Sequence, residues 1–461
     1  MNNSTENNPG RRLLEEARNA WTALAEFRRK RRRCRDFTFG RQWGDVHRLS
    51  DGRIISEESA WLDAGRVPIC NNLIRQLVKS IVGRWRFDRA SSSGDDNRDA
   101  RSFEEFLISG CAAQRISDFA DSADYINVSP ARLIFGRFSA PDASDCNLIG
   151  MLHDMEPSEI MRRFAPESKA GFRNLASRLA AISTQPASPL ATTPTPCCAA
   201  EIDFLQTDTS GTLRVVEVWK KEYVTIMRIH DPKTASYTEE DWSEKAENRF
   251  LRLCRRRKNA GDEAPVLRLD YVPRWKGSWL LADGSLLAVM TARSHPFVLS
   301  LYPMVDGEVH SLVEDVIDQQ KSVNNLVMLL DSVLRASAKG VVLFPTDQLP
   351  RGMTWEDVRR IWAEPGGILP FRRTSKNVMP YQLNQGGTLA GAGQLLDTQM
   401  RLFNEISGTN ASSRGSASTA KGAEMMNREL EQASVSIFDL LSSFEDFLTR
   451  RNALLADHEN P

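Results

Sequence analysis

Long apolar runs and C-x-x-C cysteine pairs are both missing from this chain of 461 residues. No apolar run approaches the roughly 20 residues that a membrane span needs, so we expect no contact with a membrane. The first ten residues are polar, which predicts the absence of a secretory signal peptide. The seven cysteines form no C-x-x-C pair, and we expect reduced thiols in a cytosolic setting.

Signatures of catalysis are also missing. The six histidines stand in neither H-E-x-x-H nor another metal-binding spacing. The chain has no G-x-x-x-x-G-K-[ST] loop for ATP and no G-x-S-x-G elbow for a nucleophilic serine. The sequence therefore predicts a protein that is not an enzyme, with no catalytic residue, no bound metal and no cofactor.

Two weak signals of chemistry stay open. His153 and Asp154 follow an apolar run and could form an acid/base pair, although we favour a surface turn before Pro157. Asp142 and Asp145 could bind a cation, and a metal-dependent nuclease around them is one hypothesis. In a loop with a proline and a serine, such carboxylates more typically cap turns through nearby backbone groups.

The segment Gly307–Pro345 carries the longest helical signal in the middle of the chain. Its apolar residues recur three, four and seven positions apart, which places them on one helical face. Four amides interrupt that face: Gln319, Gln320, Asn324 and Asn325. A helix in an ordinary core rarely carries four amides so close together. We interpret the segment as the stem of a ring-shaped assembly, with these amides around a polar space.

The rest of the chain predicts an α+β protein that is mainly helical. Strand-like residues surround a charged middle at Leu213–Ile229, which is typical of a hairpin. Short apolar runs split by turns at Val266–Phe297 predict a compact β-rich insert between two helices. Helical patterns cover these segments: Arg11–Arg35, Val67–Trp85 with Asn71 or Asn72 as its cap, Arg101–Phe119, Thr238–Asn259, Thr354–Glu364, Gln394–Ser407 and Ala420–Ala456.

Positive charge is concentrated although the net charge is zero, since 60 basic residues balance 60 acidic ones. One run contains Arg28, Arg29, Lys30, Arg31, Arg32 and Arg33, and a second contains Arg255, Arg256, Arg257 and Lys258. Such runs are usually solvated, and they also serve as interaction arms or pack internally. Together they suit a protein that handles a polyanion without reading its sequence. No zinc finger, RNP motif or basic zipper is present.

The order of helix, β-rich insert, helix, strand, loop and long helix resembles a bacteriophage portal protein of the short-tailed phage and prophage type. Five stretches are similar to that family: NNLIRQLVKSIVGRWR, FSAPDASDCNLIGMLHDMEPSEIMRRFAP, RVVEVWKKEY, LVEDVIDQQKSVNNLVMLLDSVL and ISGTNASSRGSASTAKGAEMMNRELEQA. The resemblance covers most of Arg11–Leu455, and it depends on the occurrence of these stretches together in one chain.

The resemblance implies a portal fold with wing, stem and clip, a short or missing crown, and assembly as a ring. The implied domains are a basic arm and helix (1–59), the first part of the wing (60–237), stem helix 1 (238–261), the clip (262–300), stem helix 2 (301–337), the second part of the wing (338–408), the tunnel loop (409–420) and a long wing helix (421–461). The tunnel-loop residues that would face DNA are Thr409, Asn410, Ser412, Ser413, Arg414, Ser416 and Lys421.

The resemblance also implies partners and a location. The ring would contain twelve subunits at one vertex of the virion capsid, after assembly in the cytoplasm of the host bacterium. Double-stranded DNA would pass through it during packaging and ejection. Its protein partners would be the terminase large subunit, the major capsid or scaffold protein, and a head-completion or tail adaptor. The competing hypothesis is a non-enzymatic nucleic-acid-binding protein that uses the Arg28–Arg35 arm.

Overall fold

The computed structural model describes residues 9–48, 51–63, 65–89, 96–117, 124–183, 202–207, 211–302, 304–305, 307–339, 341–363, 370–372, 381–383, 389–408 and 423–459. The predicted α+β class is confirmed. Among these residues, no helix combines the length and apolar character that crossing a membrane requires.

The α-helices are α1 (Pro9–Ala23), α2 (Ala25–Thr38), α3 (Glu57–Asp63), α4 (Leu73–Arg89), α5 (Asp96–Ser109), α6 (Pro157–Phe164), α7 (Lys169–Ser183), α8 (Glu244–Asn259), α9 (Leu312–Lys339), α10 (Trp355–Ala363), α11 (Leu389–Ile406) and α12 (Ala423–Glu459). Short 3-10 turns occur at Pro130–Arg132 and Thr346–Gln348.

The strands are β1 (Val46–Arg48), β2 (Ile54–Ser56), β3 (Cys111–Ser117), β4 (Asp124–Asn127), β5 (Leu133–Phe135), β6 (Leu148–Met155), β7 (Leu213–Asp231), β8 (Ser236–Asp241), β9 (Val266–Leu281), β10 (Leu286–Ala292), β11 (Phe297–Leu301), β12 (Met304–Val305), β13 (Glu308–Val309), β14 (Val341–Leu343) and β15 (Tyr381–Leu383).

The chain divides into two compact units. Unit 1 comprises Met1–Arg33, Asp88–Ser311 and Leu440–Pro461, and unit 2 comprises Cys34–Phe87 and Leu312–Asp439.

Unit 1 is built on an antiparallel sheet in the order β10-β9-β7-β6-β5, with β8 also paired to β7. The longest pairing joins β7 to β9 in unbroken register from Val215↔Leu281 to His230↔Val266. β6 pairs with β7 only as far as Lys220, so β7 and β9 continue beyond it as a ribbon.

Both faces of this sheet are covered where the strands lie side by side. On one face, Leu14, Ala17 and Trp21 of α1 pack against Val216 and Leu280. The other face packs against the three-stranded sheet β11-β3-β4 and against α6 and α7. Gly277 is required there because the Trp219 indole would lie only 2.7 Å from a Cβ at this position.

An ionic cluster joins the large sheet of unit 1 to its three-stranded sheet. Glu217 of β7 is fully buried, and both its oxygens lie 3.0 Å from Nε of Arg115 on β3. His153 Nε2 lies 2.7 Å from Glu217 Oε2, and the Trp219 indole N–H donates to Oε1 at 2.8 Å. Burial alone would raise the pKa of Glu217, but Arg115, His153 and Trp219 together lower it to about 2.

Unit 2 is organised around α9. This helix packs against α11, and α4 meets it through hydrogen bonds from the backbone of Leu73 and Ile74. Two small antiparallel pairs complete the described part of unit 2: β1 with β2, and β14 with β15. Lys321 of α9 reaches Asp45 at 2.8 Å and Glu57 at 2.7 Å, which fixes the β1–β2 region to this helix.

Two predicted helices are wrong in part. The pattern at Arg101–Phe119 gives α5 and then β3, because Gly110 ends the helix at a φ of 70°. A Cβ at Gly110 would lie 2.5 Å from the Tyr302 carbonyl oxygen, so only glycine is tolerated. The helix at Arg11–Arg35 breaks near Leu24. There the Trp21 carbonyl accepts from Arg28 Nη1 at 2.7 Å as well as from the Leu24 N–H.

Two predictions about strands are also wrong. Leu213–Ile229 is one strand rather than a hairpin, because Lys220–Tyr223 contains no turn-forming residue and β9 pairs along its whole length. The strands at Val266–Phe297 exist, but they extend the sheet of unit 1 and do not form a separate compact insert.

The helix predicted from Thr238 begins at Glu244, after the N-cap Ser243, because 236–241 form β8.

We predict that Glu217→Gln lowers the free energy of unfolding by about 3–5 kcal/mol, because it leaves the Arg115 charge buried without its partner. Since the pKa of Glu217 lies below its ordinary value, its stabilisation is present above about pH 4.5 and is lost as the pH falls toward 2. Urea unfolding between pH 7 and pH 3 measures both effects. Glu222→Gln, an exposed change on the same strand, should stay within about 0.5 kcal/mol. Equal stability of the two variants would contradict the prediction.

Candidate functional site

The four amides of α9 do not share one environment. Gln320 and Asn324 are fully buried. Gln320 Oε1 accepts from the N–H groups of Leu73 at 2.9 Å and Ile74 at 3.3 Å, and its Nε2 donates to the Asn71 carbonyl at 2.6 Å. Gln320 thus satisfies the free N–H groups in the first turn of α4, which a helix cannot satisfy by itself.

A second layer of amides extends this network. Asn324 Oδ1 accepts from the Asn71 N–H at 3.1 Å, and its Nδ2 donates to Gln42 Oε1 at 2.6 Å. Gln42 in turn donates to Asn72 Oδ1 at 3.2 Å. Asn72 Oδ1 also accepts from the Arg75 N–H, which confirms Asn72 as the N-cap of α4. These amides therefore stabilise the interior of unit 2.

The interpretation of Gln320 and Asn324 as channel-facing residues is wrong, because both are buried within the chain. Asn325 is exposed, and Gln319 is half-buried with its Oε1 lacking a hydrogen-bond partner among the described residues. Only these two of the four amides stay available for a contact outside the subunit. The sequence showed unusual amides but not their partners, which lie about 250 positions earlier in the chain.

The basic run of α2 is divided between internal and exposed roles. Arg31 forms two hydrogen bonds with the Glu105 carboxylate, at 2.6 and 3.0 Å. The Arg28 guanidinium lies 3.6 Å from the centre of the Trp21 ring, and Lys30 lies 3.7 Å from Glu308. Arg29 and Arg33 are exposed, while Arg32 is half-buried. The run is therefore partly structural and is not a single solvated arm.

The second basic run forms the end of α8. Arg257 is half-buried and pairs with Asp231 at 2.9 Å and Asp262 at 3.5 Å. The other cations of this end point outward and are exposed: Arg252, Arg255, Arg256 and Lys258. We name these four residues the α8 basic end. Positive charge at a helix C-terminus is favourable there because of the helix dipole, and it leaves a surface that could contact a phosphate backbone.

The carboxylates that could have bound a cation make structural contacts. Asp145 accepts from the N–H groups of Ser139 and Ala140, and Asp142 accepts from that of Ser144, which confirms the turn-capping interpretation. Within the residues that the structure describes, no cluster of three or more His, Cys, Asp or Glu could hold a metal ion.

The surface turn that we predicted at His153 and Asp154 is wrong. Both residues lie in β6, where His153 contacts Glu217 and Asp154 forms an ion pair with Arg132 at 2.5 Å. They border a cavity of about 280 Å³ whose arginines and carboxylates face one another. Their partners lie in β7 and in the 3-10 turn Pro130–Arg132, so the local sequence carried no sign of this cluster.

The predicted tunnel-loop residues lie outside the described residues. This applies to Thr409, Asn410, Ser412, Ser413, Arg414, Ser416 and Lys421. The described chain ends α11 at Ile406, continues to Gly408, and resumes with α12 at Ala423.

Comparison with known families finds a match for most of the chain. A family model described as the phage P22-like portal protein matches residues 85–457, which is well over half of the chain. None of the curated proteins matches it.

We predict that Gln320→Met lowers the free energy of unfolding by about 3 kcal/mol, since it leaves buried N–H groups of α4 without an acceptor. Gln319→Met is the matched control one residue away. Its Oε1 is buried and has no hydrogen-bond partner in the part of the chain that the structure describes, so the same substitution should change stability by less than about 1 kcal/mol. Thermal and urea unfolding measure both. Equal destabilisation of the two variants would show that the hydrogen bonds to Gln320 contribute nothing specific.

A second prediction concerns the α8 basic end. Replacing Arg255, Arg256 and Lys258 together by Gln should weaken non-specific binding of double-stranded DNA. The slope of log K against log salt should become shallower by about 0.9 for each phosphate that the variant no longer neutralises. Titration of a labelled duplex over a range of salt concentrations measures this. Arg257→Gln is the control. It should lower the free energy of unfolding, because it breaks the ion pair with Asp231, and it should leave the salt dependence of DNA binding unchanged. An unchanged slope in the triple variant would remove the α8 basic end as a DNA-binding surface.

Proposed function

Because the chain belongs to the phage P22-like portal protein family, we propose that it assembles into a ring at one vertex of a phage capsid. Double-stranded DNA enters the capsid through this ring during packaging and leaves through it during ejection. Portal proteins are structural components of the virion, so the role is that of a conduit and docking ring. Membership of the family is the observation that carries the proposal.

The packing of unit 2 supports an assignment of the stem. A stem consists of two helices joined by a clip. α9 packs against α11, and β14 and β15, both between these helices in sequence, pair antiparallel. We therefore assign the stem to α9 and α11 and the clip to residues 340–388. The assignment that the resemblance implies, with the stem at 238–261 and 301–337 and the clip at 262–300, is less well supported, because α8 packs on Met227 within unit 1.

This assignment gives the remaining segments their roles. The sheets of unit 1 form the wing, and 409–420, between α11 and α12, is the tunnel loop that faces DNA. Gln319 and Asn325 of α9 are the amides that contact a neighbouring subunit or the channel. Small polar residues in the loop would let DNA slide, since specific binding would oppose translocation. Assembly takes place in the cytoplasm of the host bacterium.

The proposed partners follow from position in the ring. The clip contacts the terminase large subunit during packaging and a head-completion or tail adaptor afterwards. The wing contacts the major capsid or scaffold protein. We propose twelve subunits. The alternative of a monomeric nucleic-acid-binding protein is less well supported, because Arg28, Lys30 and Arg31 of its proposed arm contact groups within unit 1.

We predict that the purified protein forms rings and that deleting Thr409–Thr419 leaves them intact while DNA packaging or retention falls. The control is a deletion of equal length, Pro186–Pro196, in a stretch that is rich in Pro, Thr and Ser. Light scattering and negative-stain electron microscopy measure assembly, and nuclease-protected DNA measures packaging. A single-subunit mass at high concentration, also with scaffold protein present, would contradict the proposed function. Loss of rings in the loop deletion alone would show that the channel lies elsewhere.

A further inference from the structure

The ribbon of unit 1 has two open strand edges. Beyond Lys220, where its pairing with β6 ends, β7 lies between β8 and β9. β10 pairs with β9 only from Trp275 onward, so the earlier part of β9 has no second neighbour among the described strands. β8 pairs with β7 on one side, and all six of its residues are exposed. The ribbon therefore ends in β8 at one edge and in residues 266–274 of β9 at the other.

The register shows which backbone groups point outward from these edges. In an antiparallel ladder, alternate residues of a strand direct their N–H and C=O groups to opposite sides. The Trp242 N–H donates to the Thr225 carbonyl at 2.9 Å, so the odd-numbered residues in this part of β7 bond toward β8 and the even-numbered ones toward β9. The residues that direct their backbone groups away from the ribbon are therefore Tyr237, Glu239 and Asp241 of β8, and Leu267, Leu269 and Tyr271 of β9.

Large apolar side chains stand exposed along both edges. The exposed fractions are 60% for Val266, 53% for Leu269 and 69% for Tyr271 on β9, 79% for Tyr237 on β8, and 44% for Trp242 directly after β8. A strand edge with exposed apolar residues is a template for pairing with another chain. Pro273 has no N–H to donate, so the stretch of β9 that can pair lies before it.

The charges on these strands are largely balanced within the ribbon. Arg228 of β7 forms ion pairs with Glu239 at 2.9 Å and with Asp270 at 2.8 Å, and Arg268 lies 2.9 Å from Asp270. Unpaired charge is one of the features by which natural proteins protect an open edge from pairing. Because these charges already meet one another, attraction between the two edges has to come from backbone hydrogen bonds and apolar contact.

The directions of the two edges suit a second copy of the chain. β8 and β9 are both antiparallel to β7, so they run in the same direction. A neighbour displaced sideways in a ring therefore brings its β8 parallel to β9. A ring needs two different surfaces on each subunit, because every contact is head-to-tail. A two-fold contact between two β9 edges would instead be antiparallel and would leave both β8 edges open.

The level of each residue on the ribbon predicts the register of this contact. Ile229 pairs with Thr238 on one side and with Leu267 on the other, so these two residues lie at the same level. A sideways copy needs no shift along the strands, and Leu267 then bonds to the backbone of Tyr237 and Glu239 in the slanted pattern of a parallel pair.

The same register brings the exposed apolar residues together. Thr225 pairs with Tyr271 and accepts from the Trp242 N–H, so Tyr271 of one copy lies beside Trp242 of the next. His230 pairs with both Tyr237 and Val266, so these two residues also become neighbours. Pairs of this kind, aromatic with aromatic or with β-branched, stabilise adjacent strands.

We propose that β9 of one subunit pairs in parallel with β8 of the next subunit, so that the ribbons form one sheet that continues around the ring. The contact consists of backbone hydrogen bonds from 267–271 to 237–241 and of the apolar pairs Tyr271–Trp242 and Val266–Tyr237. This proposal rests on the ring of the proposed function and names the strands that close it.

Disulfide trapping in the full chain tests the register. Tyr271→Cys with Trp242→Cys should form disulfide bonds between copies under mild oxidation, giving a ladder of linked subunits on a non-reducing gel. The two positions of one chain are separated by β7, about 10 Å across two strand spacings, which is too far for a disulfide within the chain. The control pair is Tyr271→Cys with Tyr237→Cys, whose side chains lie on opposite faces, and it should give no more linkage than the oxidised unmodified chain.

A proline substitution tests the backbone hydrogen bonds. Leu269→Pro removes an N–H that points away from β7, so the ribbon should still fold. The fraction of protein in rings should fall about tenfold or more, because the same hydrogen bond is lost at every contact in the ring. Leu269→Ala is the matched control, since it shortens the side chain but keeps the N–H, and it should retain most of the rings. Mass photometry measures assembly, and circular dichroism confirms folding.

The outcomes separate this proposal from the proposed function. Rings in the unmodified protein without linkage of the Tyr271/Trp242 cysteine pair would overturn the strand pairing and leave the ring in place. Full assembly of Leu269→Pro would do the same. Linked dimers from Tyr271→Cys alone would show a two-fold contact between β9 edges and would also overturn it. Absence of rings in the unmodified protein would instead overturn the proposed function. A ladder from the Tyr271/Trp242 pair alone supports the parallel contact.

Discussion

The pairing of β7 with β9 is the constraint on which the rest of unit 1 depends. It continues without a register shift from Val215↔Leu281 to His230↔Val266. One half of this ladder lies between α1 and the second sheet, and it carries the core residues Trp219 and Trp279. The other half continues as the ribbon that positions β8 and α8. Because a shift of one residue would exchange the two faces, the same register sets both the buried core and the exposed, stacked rings of Tyr223 and Tyr271.

Buried polar groups specify this fold as much as apolar packing does. Glu217 connects its sheet to a second sheet through Arg115, and Gln320 connects two helices of unit 2 by satisfying the first turn of α4. Each residue is costly to bury unless its partners are correctly placed. Such groups therefore favour one arrangement of elements over other compact arrangements with similar apolar burial.

The parts of the fold that depend on local sequence could be predicted, and the parts that depend on distant contacts could not. The apolar spacing of α9 and the asparagine cap of α4 were recognised from short stretches. The end of α5 at Gly110 depends on the close approach of Tyr302, and the continuity of β7 depends on β9. The amides of α9 were recognised as unusual, but their role required Asn71 and Gln42, far away in the sequence.

The charged residues show the same limit of local sequence. From sequence, the run Arg28–Arg33 was a uniform basic arm, yet Arg31 is neutralised by Glu105 while Arg29 and Arg33 stay exposed. At the start of α8, Glu244 is exposed, whereas Glu247 is half-buried and accepts from the Trp242 indole N–H. In both helices, neighbouring charges of the same sign differ in exposure, because the exposure of each depends on contacts with residues elsewhere in the fold.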